Sequence, residues 1–432
     1  MEPIVAGLTG IGILIFLLFA GIPIGVGMSL VGFFGFAYLI DFEAALGILK
    51  TVPYTTFASN SFSVIPLFIL MGSFAFASGM SENLFKAVYK WLGHLRGGVA
   101  QATVAACACF AAISGSSLAT AATLGAVALP EMKKFKYDDS LATGAVAAGG
   151  SVGILIPPSV ILIIYGIITE QSIGKLFLAG FIPGVMEMIF YLITIWILTA
   201  VNPASGPKGP KTGVREKINA LKTTWEVVLL FVIVIGGIYA GIFTPTEAAG
   251  IGAFGTFFFS LVRRKLTWNV FNTSLVNTVR TTGMLFLIMM GAMIFGYFLS
   301  VSQLPFDLAS LVSELNVNRY IILTAILVIT LALGCVMDSM AIVLLTIPVF
   351  YPLVINLGFN PVWFGILVVR VTEMGLITPP VGMNVFIIKG ISNVPIGAIF
   401  KGIIPFLIAD FIQVVCLIAF PQIILFLPEL MS

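Results

Sequence analysis

The sequence predicts an all-α polytopic membrane protein made of two inverted repeats, with about ten spanning helices and two re-entrant helical hairpins. Three observations predict this fold class. The chain of 432 residues is 59% hydrophobic and 9% charged, with a mean hydropathy of +1.14, whereas a soluble globular domain carries about 25% charged residues. Two apolar segments are interrupted by small and polar residues. A pattern of Gly and Pro recurs at a constant spacing of 222 residues.

The first repeat is assigned to residues 1–201, and its elements follow the apolar runs. A spanning helix needs about 20 mainly apolar residues, and spans are predicted near 4–20, 24–40, 62–80 and 174–200. Residues 81–97 place apolar side chains at spacings of three and four between lysines, a pattern typical of a helix in the membrane interface. Residues 139–168 contain a Gly-rich stretch and Pro157-Pro158, and are predicted to form a broken span.

Residues 98–130 are predicted to form the first re-entrant hairpin. Ser114-Gly115-Ser116-Ser117 stands at the centre of this apolar segment. Interrupted backbone at membrane depth has free N–H and C=O groups that find no partner in lipid, so it must be buried in protein or line a watery cavity. The turn is therefore a candidate binding site, although small residues can also serve close helix packing.

The second half repeats this order after a polar connection. Residues 202–224 are rich in Pro, Gly and Lys and are predicted to form an exposed cytoplasmic linker. The second repeat is assigned to residues 225–432, where the 222-residue spacing places Asp338 opposite Ser116. Its predicted elements are spans near 226–242, 246–262, 282–302 and 402–427, a hairpin over 320–355 and a broken span over 362–388.

Charge indicates the orientation. If each hairpin enters and leaves on one side, each half crosses five times, and the odd number inverts the second half. Cytoplasmic loops collect Lys and Arg. With both termini in the periplasm, 16 of the 21 basic residues lie on the cytoplasmic side and three lie outside. We therefore predict a multi-pass inner-membrane protein with both termini periplasmic.

Several functional classes are disfavoured by the residues present. The single histidine, His94, excludes imidazole clusters within the chain, and the four cysteines lack zinc-site spacing. Ser116 has no neighbouring histidine and Asp338 has no second aspartate in a matching motif, so an enzyme is not expected. No nucleic-acid partner is expected. An ion channel stays as an alternative, but it would need a continuous pore that two closed hairpins do not suggest.

Inverted repeats with interrupted helices are typical of secondary transporters. Half-helix N-termini present N–H groups to an anion, while freed carbonyls and hydroxyls suit a hard cation. We expect at least two sodium ions, one in each half. The first set of predicted sodium ligands is Ser114, Gly115, Ser116, Gly150, Ser151 and Gly153. The second set is Gly334, Met337, Asp338, Thr372, Gly375 and Thr378. The predicted substrate contacts, between the hairpin tips, are Ser116, Ser117, Asp338, Arg370 and Asn384.

Ionisable residues within the apolar segments leave alternatives open, because such residues are costly in a membrane and usually functional. Asp338 either binds an ion or caps the half-helix that it precedes. Arg370 either meets a substrate carboxylate or forms an ion pair with Glu373, one helical turn away. Glu187 and Asp410 are expected to contact neighbouring helices or lipid headgroups.

Four segments of the sequence resemble one transporter family: ISGSSLATAATLG, ILIPPS, GCVMDSMAIVLLTIPVFYP and LITPPVGMNVF. They are similar to the large membrane subunit of tripartite ATP-independent periplasmic (TRAP) transporters, the DctM/SiaM-type permease. The resemblance implies an elevator-type, sodium-driven importer of a small carboxylate, such as a C4-dicarboxylate or sialic acid. It also implies two partners, a small four-helix membrane subunit of the DctQ/SiaQ type and a periplasmic substrate-binding protein of the DctP/SiaP type.

The family's sodium sites lie at the hairpin tips and the facing helix breaks, which match the residues named above. We expect residues 1–40 and 225–300 to form mainly the fixed scaffold, and residues 98–168 and 320–390 the moving part. The nearest alternative is a divalent-anion/sodium symporter of similar architecture that needs no binding protein.

Overall fold

The computed structural model describes residues 2–307, 310 and 317–430 of the chain, and this part is helical without strands. The first half contains α1 (Pro3–Phe19), α2 (Ile24–Leu39), α3 (Phe42–Ala58), α4 (Val64–Ala77), α5 (Met80–Leu92), α6 (Gly98–Ser114), α7 (Ser117–Lys134), α8 (Asp139–Val152), α9 (Val160–Ile168) and α10 (Ile173–Val201). The connection contains α11 (Val214–Lys222). The second half contains α12 (Trp225–Tyr239), α13 (Pro245–Val262), α14 (Trp268–Val301), α15 (Arg319–Gly334), α16 (Ser339–Asn356), α17 (Pro361–Gly375), α18 (Met383–Ile391), α19 (Ile396–Ala419) and α20 (Gln422–Glu429).

The helices have the length and surface of a membrane protein. Within the described residues, five helical segments are long and apolar enough to cross a membrane alone: Asn60–Ala77, α10, α14, α16 and α19. A sixth candidate is the pair α11 and α12, which bends by 55°. Large apolar side chains such as Phe16, Phe19 and Trp268 are exposed on the outside of the bundle. These features confirm the polytopic helical fold class.

The two halves present the same order of helices. Six helices of the first half begin within one residue of the 222-residue spacing from their counterparts, in the pairs α1 and α12, α2 and α13, α7 and α16, α8 and α17, α9 and α18, and α10 and α19. The same holds for the hairpin helices α6 and α15. The inverted orientation of the halves and the periplasmic position of both termini stay predictions.

The halves differ after α2 and its counterpart α13. Helices α3 and α4 follow α2, whereas the single helix α14 follows α13. A short turn separates α3 from α4, whereas α14 runs without interruption for 34 residues. Helix α3 is not predicted from the sequence, because Lys50 and several threonines lower its hydropathy. The sequence also predicts the start of α14 near residue 282, since the polar residues between Trp268 and Thr281 do not read as a membrane span.

Most side chains of residues 202–224 are exposed, and the segment is also anchored by local structure. It contains α11, and the part before this helix is tied to the first half. Gly97 donates a backbone hydrogen bond of 2.9 Å to the carbonyl of Gly206, and Gly209 donates one of 2.9 Å to that of Gly93. The linker is therefore packed against the first half.

Glycines bring helices α2 and α14 close together. A Cβ atom on Gly25 would lie 2.7 Å from the carbonyl oxygen of Leu287, and one on Gly32 would lie 2.7 Å from Cα of Phe295. Small residues at such contacts let helix backbones approach, which is how many membrane helices associate. The predicted scaffold segments 1–40 and 225–300 thus pack directly on each other, with α14 facing the hairpins.

Candidate functional site

The first hairpin tip is a tight turn between α6 and α7. Gly115 ends α6 in the left-handed conformation, with φ of 62°, which glycine adopts without steric cost. Ser116 then begins α7 as its N-cap, because its side chain accepts a 3.3 Å hydrogen bond from the amide of Ala119. The hydroxyls of Ser114 and Thr120 lie 2.9 Å apart. The tip therefore concentrates hydroxyl oxygens around one turn.

The broken helix α8–α9 faces this first tip. A Cβ atom on Gly150 would lie 3.1 Å from the carbonyl oxygen of Ser117, and one on Gly153 would lie 3.0 Å from that of Ala108. The Ser151 hydroxyl is buried and donates a 2.7 Å hydrogen bond to the carbonyl of Ala148. The structure thus brings together the two segments that contain the first predicted sodium ligands.

The second tip, between α15 and α16, also closely approaches its broken helix. A Cβ atom on Gly334 would lie 2.9 Å from Cα of Gly375, and the amide of Gly382 donates a 3.0 Å hydrogen bond to the carbonyl of Cys335. Asp338 is the N-cap of α16 and accepts a 3.0 Å hydrogen bond from the Met340 amide. The capping alternative for Asp338 is therefore present.

Two threonines complete the second predicted sodium set. Thr372 and Thr378 each donate a 2.7 Å hydrogen bond from the hydroxyl to a helix carbonyl, that of Val368 and that of Met374 respectively. Because the hydroxyl protons are committed to these carbonyls, the oxygen lone pairs stay available as acceptors. Oxygen atoms oriented in this way suit a hard cation such as sodium.

Arg370 does not pair with Glu373, so that part of the sequence interpretation is wrong. The guanidinium forms an ion pair of 3.2 Å with Glu187 on α10 and a second ion pair with Asp410 on α19. Its Nε donates a 2.8 Å hydrogen bond to Gln413. The reason is geometric: Glu187 and Asp410, on two neighbouring helices, surround Arg370. Of the two contacts expected for these carboxylates, the structure shows the one with a neighbouring helix.

The residues of this network are buried. Arg370 and Asp410 are 0% exposed and Glu187 is 1% exposed. Asn384, another predicted substrate contact, is also fully buried, and it donates a 3.2 Å hydrogen bond to the carbonyl of Ala147. In this conformation neither Arg370 nor Asn384 lines the space in front of the tips.

Glu373 instead joins the two hairpins. Its Oε1 accepts a 2.6 Å hydrogen bond from the hydroxyl of Ser339, the first residue of α16. Ser117, the first residue of α7, approaches the same carboxylate from the other hairpin. Helix N-termini attract negative charge, so this buried carboxylate couples the first turns of both half-helices. Ser117 thus lies one layer below the tip surface on which it was predicted to meet substrate.

A cavity of about 830 Å³ lies between the hairpin tips and helices α4 and α14, and its largely apolar lining contains a cluster of polar groups. From the tips it is lined by Ser114, Gly115, Ser116 and Asp338. From α14 it is lined by Asn269, Thr273, Ser274, Asn277 and Thr281. Four of these α14 residues are spaced by four positions, so they form one face of the helix. No Lys, Arg or His lines this cavity among the described residues, and Asp338 is its only acidic group.

Sequence reasoning missed the polar face of α14. The signal was present as the repeat of Asn and Thr every four residues from Asn269 to Thr281. This repeat was not interpreted as part of a helix, because the segment is too polar for a membrane span. A polar stripe on one face of a helix is instead what a helix bordering an aqueous cavity requires.

Comparison with known proteins adds the family to this geometry. Residues 11–423 match the family model described as "Tripartite ATP-independent periplasmic transporter, DctM component". The chain belongs to this family. It is 37% identical over 367 residues to the C4-dicarboxylate TRAP transporter large permease protein DctM of Pseudomonas aeruginosa, covering 84% of this chain and 85% of that protein. It is 35% identical over 417 residues to the sialic acid TRAP transporter large permease protein SiaM of Vibrio cholerae, covering 96% of each.

The fold of this DctM-family chain also has a solved counterpart. The crystal structure of the Alcanivorax borkumensis YdaH transporter aligns with a TM-score of 0.66 at 15% identity, covering 89% of this chain and 91% of that one. The sequence-based recognition of the DctM/SiaM-type permease is confirmed, and the chain is a membrane transport subunit and not an enzyme.

Proposed function

We propose that this DctM-type chain is the large permease subunit of a sodium-coupled importer of an organic acid. The observation that carries the proposal is the cavity between the two hairpin tips and α14. Its walls offer hydroxyls, amides and the Asp338 carboxylate but no basic side chain among the described residues. A carboxylate substrate entering it needs positive charge from elsewhere, because like charges repel strongly in a poorly solvated site. Sodium ions at the two tips supply that charge.

The arrangement also supports an elevator mechanism. The helices of both hairpins and both broken spans are joined through Glu373 and through close glycine contacts, while α14 packs on α2 as part of the scaffold. The cavity borders the N-terminal half of α14, which follows the predicted cytoplasmic cluster Arg263-Arg264-Lys265. In this proposal the structure represents the cytoplasm-facing state, and the hairpin unit moves along α14 to face the periplasm.

The proposed substrate is a small carboxylate. Relatives of the chain are named as C4-dicarboxylate and sialic acid permeases, and a site that combines sodium with hydroxyl and amide donors accommodates either carboxylate group. The proposed partners are a separate small four-helix membrane subunit and a periplasmic substrate-binding protein that delivers the acid. The proposed location is the bacterial inner membrane, with both termini periplasmic.

Uptake into vesicles tests the proposed function. The chain is reconstituted with the small membrane subunit encoded beside it, and uptake of labelled sialic acid or succinate is measured with and without the neighbouring binding protein. We expect uptake only with an inward sodium gradient and with the binding protein. Equal uptake in potassium would contradict sodium coupling, and full uptake without the binding protein would favour a divalent-anion/sodium symporter.

Removing a tip oxygen is expected to weaken sodium activation. Asp338→Asn should raise the half-saturating sodium concentration at least about tenfold, because a hydrogen bond or ion contact to a charged group contributes roughly 1.5–3 kcal/mol. Ser116→Ala should act in the same direction with a smaller effect. Glu82→Gln, which neutralises an exposed acid on α5, is the control. Unchanged sodium activation in both tip variants would refute the site.

The polar face of α14 is expected to set substrate affinity on the cytoplasmic side. Asn277→Ala should raise the half-saturating substrate concentration in counterflow about fivefold, since a net hydrogen bond contributes roughly 1 kcal/mol. Asn272→Ala is a matched control on the same helix, because Asn272 does not line the cavity. If both variants show the same affinity, α14 does not contact the substrate.

A further inference from the structure

A second cavity, of about 640 Å³, opens on the surface where the linker crosses the first half. It is lined by His94, Arg96, Lys208 and Lys211, and its lining includes no acidic residue. In the described part of the chain, Arg96, Lys208 and Lys211 take part in no ion pair. Three positive charges therefore converge on one cavity without compensation.

Backbone contacts hold these charges in place. Besides the two hydrogen bonds that join Gly93 and Gly97 to the linker, the hydroxyl of Thr212 donates a 2.5 Å hydrogen bond to the carbonyl of Lys90. Gln101 is 5% exposed and donates a 3.2 Å hydrogen bond to the carbonyl of Arg96. The cavity is thus built from a fixed turn and a fixed linker segment.

An apolar wall continues the cavity along α10. Ile189, Ile193 and Trp196 line it and are 45%, 47% and 60% exposed. Their spacing of four and three residues places them on one helix face. Tryptophan is enriched where a helix meets the membrane–water interface. Positive charge therefore lies above an apolar face that is open to the acyl region.

We propose that this cavity binds an anionic phospholipid of the cytoplasmic leaflet, with its phosphate at Arg96, Lys208 and Lys211 and an acyl chain along Ile189, Ile193 and Trp196. Basic pockets on the cytoplasmic side of membrane helices attract anionic headgroups, and the positive-inside rule places this surface there. The bound lipid fastens the linker between the two repeats to the first repeat. This site is separate from the transport cavity and does not depend on the transported acid.

Lipid-dependent thermal stability of the purified chain tests the site. In neutral detergent, added phosphatidylglycerol or cardiolipin should raise the Tm, whereas phosphatidylcholine should not, because binding to the folded state alone stabilises it. The triple variant Arg96→Gln, Lys208→Gln, Lys211→Gln should bind the anionic lipid on the order of a hundredfold more weakly. Trp196→Ala, which keeps the charges, should also reduce the response.

A matched triple variant separates a specific site from general attraction. Arg215→Gln, Lys222→Gln, Lys265→Gln removes the same charge from exposed cytoplasmic residues that do not line the cavity, and it should respond to lipid like the wild type. Each variant is first compared with the wild type in lipid-free detergent to confirm folding. Equal loss in both triple variants, an equal response to phosphatidylcholine, or an equal response to inorganic phosphate alone would overturn the proposal.

Discussion

Replacing Arg370 with Met is expected to lower the free energy of unfolding by about 3–5 kcal/mol, because it leaves two buried carboxylates without their positive partner. Glu187 and Asp410 are fully buried with the guanidinium between them. Neither carboxylate is accessible to solvent, and a charge in a low-dielectric environment is costly without a partner. Thermal unfolding in detergent measures the effect.

Removing all three charges of this network together tests whether Arg370 stabilises the protein through its charge. The triple variant Arg370→Met, Glu187→Gln, Asp410→Asn should recover most of the lost stability, since neutralising a whole buried network is often close to neutral. Arg280→Met, at an exposed position on α14, is the control and should unfold like the wild type. A triple variant as unstable as the single one would show that Arg370 acts by packing rather than by charge.

Replacing Gly375 with Ala is expected to abolish sodium-driven uptake. A Cβ atom there would lie 2.5 Å from Cα of Gly334, a distance that backbone atoms cannot accommodate without moving. Overpacking of this kind costs about 1–3 kcal/mol, and here it pushes the second hairpin away from the broken helix. The oxygen atoms of the second predicted sodium site, including those of Thr372 and Asp338, would then separate.

A nearby glycine provides the control for this substitution. Gly390 in α18 has no atom within 4 Å of an added Cβ, so Gly390→Ala should keep wild-type uptake and sodium activation. Sodium-dependent uptake and the sodium-induced rise in Tm are both measured. If Gly375→Ala keeps the sodium response of the wild type, the contact between hairpin and broken helix is not part of a cation site.

The parts of the fold that the sequence predicted are those with a local signal. The two tips were found because Ser and Gly at Ser114–Ser117, and Gly334 with Asp338, interrupt apolar runs at matching positions. Helix α3 was missed because it is too polar to read as a span. The first 14 residues of α14 were missed because they include the polar face that lines the cavity. In both cases the tertiary position of the helix, and not its hydropathy, decides its role.

The partners of buried charges could not be read from the sequence. Arg370 and Glu373 are three residues apart, which suggested a pair, but Glu187 lies 183 positions before Arg370 in the chain. Only the packing of α10 and α19 against α17 brings Glu187 and Asp410 to the guanidinium. Because Arg370 pairs with Glu187 and Asp410, the carboxylate of Glu373 accepts a hydrogen bond from the Ser339 hydroxyl instead.

Reversible crosslinking between the hairpin and the scaffold tests the central claim most directly, namely that the hairpin unit moves past α14. Ala119 on α7 and Thr273 on α14 line opposite walls of the transport cavity. Both are replaced by Cys in a chain without its native cysteines and joined by a short cleavable reagent. A pair within the scaffold, at Trp225 and Phe259, whose rings lie 5.4 Å apart, is treated alike as the control. The account predicts that the first crosslink stops uptake until it is cleaved while the second leaves uptake unchanged; sustained uptake with the first crosslink in place would contradict it.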